Sequence, residues 1–179
     1  MNKKLLLDNL RCIPDYPIPG IMFQDVSTLF KNPECIQEMK NELVRIYKDK
    51  GITKVVGIES RGFVMGAILA DELGAGFVMA RKPGKLPAET KSISYKKEYG
   101  EDTIEIHADA IEQGDVVLIQ DDILATGGSM LAVCKLCQQF NPSKIYVNFL
   151  IEINNEGLNG RKALEGFDFT TLMTIPEKE

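Results

Sequence analysis

Residues 116–130 read Val-Val-Leu-Ile-Gln-Asp-Asp-Ile-Leu-Ala-Thr-Gly-Gly-Ser-Met, and the types and spacing of these residues can do chemistry. Asp121 and Asp122 offer adjacent carboxylates. These suit a vicinal diol, whose hydroxyls need acceptors, or the hydrated shell of a hard cation such as Mg²⁺. The turn Ala125-Thr126-Gly127-Gly128-Ser129 offers two hydroxyls and glycines that let a backbone approach a ligand closely. A helix that starts there adds unpaired N–H groups and a partial positive charge, which suit phosphate. Diol and phosphate recognition within one turn describes a site for a sugar phosphate. The bland alternative, a strand–turn–helix corner with two solvated acids, leaves their coincidence with a glycine turn unexplained.

Two further segments carry related chemistry. Glu59-Ser60-Arg61-Gly62 follows the apolar run Val55–Ile58 and opens a helical pattern, which repeats the anion-binding logic of the first turn. Arg81-Lys82-Pro83-Gly84-Lys85 puts three cations in five residues just after another apolar run. A charge run by itself is usually a solvated turn. Here it stands at the same end of the alternating pattern as the other two loops, so the three are expected to converge on one polyanion. The chain carries a net charge of −5, so an anionic ligand must be drawn by such local cations. The same acidity argues against a general nucleic-acid surface.

The elements that must position these loops follow from periodicity. Leu5, Leu6 and Leu10 give a short amphipathic helix, and Pro14, Pro17 and Pro19 force an extended entry. Residues 20–30 read as a short strand and turn. Asn32 caps a helix with Pro33 at its first position, and Ile36, Met39, Leu43, Ile46 and Tyr47 recur at helical spacing. Strands are then expected at 54–58, 76–80, 116–119, 144–151 and 167–173, and helices at 61–73, after Ser129, and near 157–164. The stretch 82–107 breaks the rhythm and alternates weakly near 92–95 and 103–107, as a two-stranded excursion would. Strands that alternate with helices imply an α/β domain with a mostly parallel sheet flanked by helices. At 179 residues one domain is expected over 1–179. The opening apolar run stops after three leucines, too soon for a signal peptide, and no 18-residue apolar run exists, so no membrane partner and a cytoplasmic location are expected. Cys134 and Cys137 sit one turn apart on an apolar helical stripe and read as buried thiols. No G-x-x-x-x-G-K-[ST] run is present, since Gly84-Lys85 is followed by Leu86.

Residues 116–130 resemble the phosphoribosyl-pyrophosphate (PRPP) motif of type I phosphoribosyltransferases. Gly57–Phe63, Arg81–Pro87, Ser94-Tyr95, Glu98-Tyr99-Gly100 and Pro19–Phe23 are similar to the adenine phosphoribosyltransferase branch, in register from about residue 10 to about 165. The resemblance implies the type I phosphoribosyltransferase fold, with a small amino-terminal hood over about 1–32 and a long flexible catalytic loop over about 82–107. It implies transfer of phosphoribosyl from PRPP to N9 of adenine, giving AMP and pyrophosphate in purine salvage. It assigns Asp121, Asp122, Ala125, Thr126, Gly127, Gly128 and Ser129 to the ribose and 5′-phosphate. Glu59, Ser60, Arg61, Arg81, Lys82 and Lys85 go to pyrophosphate, with Glu59–Ser60 as a cis peptide. Met22, Phe23, Gln24 and Arg61 go to adenine, and Glu98, Arg61 and Lys85 to catalysis. Mg²⁺ would be held mainly by PRPP and water, with Asp121 and Asp122 as its candidate protein contacts, and the enzyme would be a homodimer. One position departs from the pattern: Gln24 stands where the family has Arg, which keeps hydrogen-bonding groups and loses the charge. That leaves open another purine base, xanthine or a modified adenine. A non-catalytic PRPP-sensing regulator is the other alternative.

Overall fold

The computed structural model describes residues 1–97, 100–154 and 158–176. The chain forms two compact units, Met1–Ile46 and Tyr47–Glu179. The first contains the region read from sequence as a hood. Helix α1 (Lys3–Asn9) is capped by the Asn2 side chain, which accepts from the Leu5 N–H at 3.1 Å. Strand β1 (Arg11–Ile13) pairs antiparallel with β2 (Phe23–Asp25), with Cys12 opposite Gln24. The proline-rich connection between them contains a cis Tyr16–Pro17 peptide. A single turn, α2 (Ser27–Phe30), leads to α3 (Pro33–Tyr47). The expected cap is present: Asn32 Oδ1 accepts from the Glu34 N–H at 2.9 Å, and Pro33 takes the first helical position.

In the second unit the sequence alternates β3 (Lys54–Ile58), α4 (Gly62–Leu73), β4 (Gly76–Ala80), then a hairpin of β5 (Thr90–Lys97) and β6 (Gly100–His107). There follow β7 (Val116–Leu124), α5 (Gly128–Gln138), β8 (Lys144–Asn154), α6 (Gly160–Ala163) and β9 (Asp168–Pro176). The central sheet has the order β4-β3-β7-β8-β9, and each neighbouring pair is parallel. Its core face carries Val56, Ile58, Val117, Ile119, Val147 and Phe149, covered by Met130, Val133, Cys134 and Cys137 of α5. Burial alone pushes the Cys134 thiol up to about 12, which makes it an inert packing group as its stripe predicts.

One difference from the sequence reading bears on the site, and one expectation is given its register. The strand expected to end at Ile119 runs on through both acids to Leu124. It does so because β8 continues to pair with it as far as Leu124↔Glu152, whereas pairing with β3 ends at Gly57↔Gln120. The acid pair therefore overhangs β3 while still anchored to β8. The excursion at 82–107 is a registered hairpin, from Thr90↔His107 to Lys97↔Gly100. Ile104 and Ile106 lie in the core, with Ile93 and Tyr95 packed against it, so apolar burial orders the base of this segment.

Candidate active site

Three strand ends and the hairpin enclose a cavity of about 290 Å³. The end of β3 supplies Ile58, Glu59, Ser60 and Arg61; β7 supplies Asp121 and Asp122; α5 supplies Ser129. Lys82 follows β4, and Tyr95, Asp102 and Ile104 come from the hairpin. This is the rim at which an open parallel sheet receives ligands. The Glu59–Ser60 peptide is cis, as the motif implies.

The acid pair is held from both sides. Asp122 is buried and its Oδ2 pairs with Arg61 Nε, so the first residue after the β3 loop is tied to the β7 acids. The Asp122 N–H donates to Asp121 Oδ1 at 2.9 Å. Desolvation, followed by the neighbouring Asp122 charge, holds the Asp121 carboxyl well above the ordinary carboxylate range. Together the two acids present their carboxyl oxygens to hydroxyl groups.

Behind the pair lies a buried amide network. Gln120 and Asn148, neighbours across β7 and β8, are both fully buried. Gln120 Nε2 donates to the Asp121 carbonyl at 2.6 Å, and Asn148 Nδ2 donates to Gln120 Oε1. Asn148 Oδ1 is buried and finds no hydrogen-bond partner among the described residues. Sequence reading passed over both amides; a Gln inside an apolar run was the available signal.

Glu59 acts as a hub for the cation run. It accepts from Arg81 Nε and Nη2 at 3.2 Å each, from Lys85 Nζ at 2.8 Å and from the Lys82 N–H at 3.2 Å. The Arg81 and Lys85 hydrogen bonds lower its pKa to about 2. Arg81 and Lys85 are consequently turned toward Glu59 and do not line the cavity. Lys82 does line it, with its Nζ 3.6 Å from Asp102. Tyr95 OH and Ser129 Oγ are 3.0 Å apart, which fastens the hairpin to the first turn of α5. Tyr95 and Asp102 face one another in the hairpin register, and that register was the signal that could have placed both at the site.

The other expected residues are distributed as follows. Ala125, Thr126 and Gly127 form the turn between β7 and α5, and Gly128 opens the helix next to Ser129; all four lie outside the cavity wall. Met22, Phe23 and Gln24 belong to the amino-terminal unit. There Met22 is exposed, Phe23 meets Tyr16 edge-on at 5.1 Å between ring centroids, and Gln24 is buried with its Oε1 accepting from the Cys12 thiol. Glu98 and Tyr99 lie outside the described residues. Among the described residues no group of three or more His, Cys, Asp or Glu is placed to hold a metal ion, and no helix is long and apolar enough to cross a membrane.

Comparison with known proteins agrees with this geometry. The phosphoribosyl transferase domain model matches residues 25–168. The adenine phosphoribosyltransferase of Phocaeicola vulgatus is 63% identical over 176 residues, covering 98% of this chain and 100% of its own. The crystal structure of the Thermoanaerobacter pseudethanolicus adenine phosphoribosyltransferase superposes with a TM-score of 0.90 at 40% identity, over 96% of this chain and 99% of that one. The Saccharomyces cerevisiae enzyme, solved with an imino-altritol bisphosphate and adenine, gives 0.86 at 40% identity, over 94% and 97%. A match of this length and identity, on a fold whose strand ends carry the acid pair and its turn, establishes that the chain belongs to the phosphoribosyltransferase family, in its adenine phosphoribosyltransferase branch.

Proposed function

We infer that this protein is a purine-salvage enzyme that transfers phosphoribosyl from PRPP to N9 of adenine, releasing AMP and pyrophosphate. The observation that carries the reading is the convergence of Asp121, Asp122, Arg61 and Ser129, from the ends of β3 and β7 and the first turn of α5, on one cavity. In the transfer the C1–oxygen bond to pyrophosphate breaks and the C1–N9 bond forms, through an oxocarbenium-like transition state as in other glycosyl transfers. Asp121 and Asp122 hold the ribose hydroxyls and stabilise positive charge that develops on the ring. The turn 125–129 takes the 5′-phosphate on its N–H groups and hydroxyls. Arg61, Lys82 and the N–H groups of the Glu59–Ser60 loop take pyrophosphate, with Arg81 and Lys85 released from Glu59 to join them. Met22, Phe23 and Gln24 are the proposed base contacts, and Glu98 exchanges the proton of the base.

Mg²⁺ fits the cavity. Four carboxylates line it (Glu59, Asp102, Asp121 and Asp122) against the two cations Arg61 and Lys82, so a polyanion needs added positive charge to enter. Asp121 and Asp122 supply the hard oxygens that would meet the ion's hydration shell, and the metal would neutralise charge on the departing pyrophosphate. Val64, Phe77 and Met79 are large apolar side chains exposed on the second unit and support a homodimer. The free cysteines, Cys12 exposed among them, support a reducing cytoplasmic setting.

The test is AMP synthesis from PRPP, Mg²⁺ and adenine, run beside guanine, hypoxanthine and xanthine. Adenine is expected to be the preferred base. Replacement of Asp121 and Asp122 together by Asn is expected to lower kcat/KM by at least about 10²-fold in a folded protein, the scale of one lost transition-state contact. Turnover at the wild-type rate in that variant, or none with adenine in the wild type, would reject the assignment.

A further inference from the structure

The turn assigned to the 5′-phosphate has a second wall, which belongs to a segment with no role in the site so far. Gly127 holds φ at +76°, and a Cβ on it would come within 3.0 Å of the Gly160 carbonyl and 3.1 Å of Ala163 Cβ. The reverse contact is tighter. A Cβ on Gly160 would lie 2.4 Å from the Ala125 carbonyl oxygen and 2.7 Å from Leu124 Cδ1. Two glycines therefore let the backbone at the start of α6 press directly on the backbone of the turn, at distances no other residue type allows.

The pressing segment is itself fixed. Arg161, the next residue, forms a two-pronged pair with Glu152 through its Nε and Nη2. Glu152 is buried at the end of β8 and also accepts from Thr171 Oγ1 on β9 at 3.1 Å. The Arg161 guanidinium lies over the Phe169 ring, 5.3 Å from its centroid. The clamp thus ties the start of α6 to β8, the strand that pairs with β7, and to β9 beyond it. Planar two-point pairing fixes direction as well as distance, which a lysine at 161 would not do.

We propose that Gly160, held by the Arg161–Glu152 clamp, is a positioning residue for the proposed reaction: it sets the Ala125–Ser129 turn at the height that the 5′-phosphate requires. Gly160 touches no substrate and acts through the turn. The inference rests on the reading that this turn holds the phosphate.

The experiment compares Gly160→Ala, Arg161→Ala and Thr126→Glu with the wild type. It measures KM for PRPP, kcat, and the affinities for AMP and for pyrophosphate by calorimetry. Gly160→Ala is expected to raise KM for PRPP and weaken AMP by about tenfold or more, since sub-ångström misplacement of binding groups has effects of this order. Pyrophosphate affinity stays within twofold, because its loop lies at the end of β3. Arg161→Ala, which keeps the glycine, gives a smaller shift in the same direction and serves if Gly160→Ala fails to fold. A loss of folded protein alone would lower the maximal rate and leave KM and the affinities unchanged, and that outcome overturns the proposal. Thr126→Glu, which puts a carboxylate into the turn, abolishes AMP binding if the phosphate sits there. If Thr126→Glu weakens AMP while Gly160→Ala and Arg161→Ala leave it intact, the positioning role is wrong and the site assignment stands. If Thr126→Glu has no effect, the phosphate lies elsewhere and both fall.

Discussion

The Gln120–Asn148 network makes a prediction whose sign depends on background. In the wild type, Gln120 satisfies the Asp121 carbonyl and accepts from Asn148, and one acceptor, Asn148 Oδ1, is already buried without a partner among the described residues. Each newly unpaired buried group costs about 1–3 kcal/mol. Gln120→Leu strands Asn148 Nδ2 and removes a donor to the Asp121 carbonyl, so the cost is about 1–3 kcal/mol or more. Asn148→Val strands Gln120 Oε1 but removes the orphaned Oδ1, so the change alone is about zero. In the Gln120→Leu background the same Asn148→Val removes both unpaired amide groups and restores about 2–6 kcal/mol. For a chain of this length about 1 kcal/mol moves the unfolding midpoint by roughly 2–4 °C, so the double variant is expected to melt at least about 4 °C above Gln120→Leu. Thermal and urea unfolding followed by circular dichroism read the four corners of the cycle. Equal effects of Asn148→Val in both backgrounds would refute the argument, as would a Gln120→Leu variant that melts with the wild type.

Two further predictions concern charge. Glu59→Gln removes the negative charge that gathers Arg81 and Lys85. Because the Glu59 pKa falls from 4.5 to about 2 on folding, its contribution is present above pH 4.5 and is lost as pH drops toward 2. With its partners 28% and 49% exposed, the variant is expected to lose about 1 kcal/mol at pH 7 by urea denaturation, and its deficit against wild type should vanish near pH 2. The second follows from Asp121, whose raised pKa falls when hydroxyl donors and a cation meet it. Binding of PRPP with Mg²⁺ should therefore release protons and tighten as pH rises through that pKa; calorimetry in buffers of different ionisation enthalpy measures the release, and identical heats in all buffers would count against it.

Much of the site was legible because its chemistry is written in consecutive residues. The acids, the glycine turn and the loop after β3 each occupy one stretch, and local spacing suffices to place them at a strand end. What escaped needed knowledge of partners across the fold. By spacing alone the cation run offers three contacts to a polyanion, and in the fold Arg81 and Lys85 turn to Glu59, a carboxylate more than twenty positions earlier. Strand β7 outran its expected end because β8, not its own composition, keeps pairing with it. Strand β1, just ahead of Pro14, is too short to show a period and exists through its register with β2. The role of Gly160 leaves no periodic trace at all, since only the approach of a distant turn reveals why a side chain is excluded there.

The hairpin is fastened along α5 at two separated points. Lys91 Nζ donates to the Gln139 carbonyl at the carboxyl end of the helix and sits over the Phe140 ring, while Tyr95 meets Ser129 at the amino end. A flap hinged only at its base could swing with little effect on its neighbours; this one cannot. Displacement of the hairpin at Tyr95 has to break the Tyr95–Ser129 contact or drag the helix along, so the Tyr95–Ser129 pair mechanically links an occupant of the adjacent turn to the posture of the hairpin.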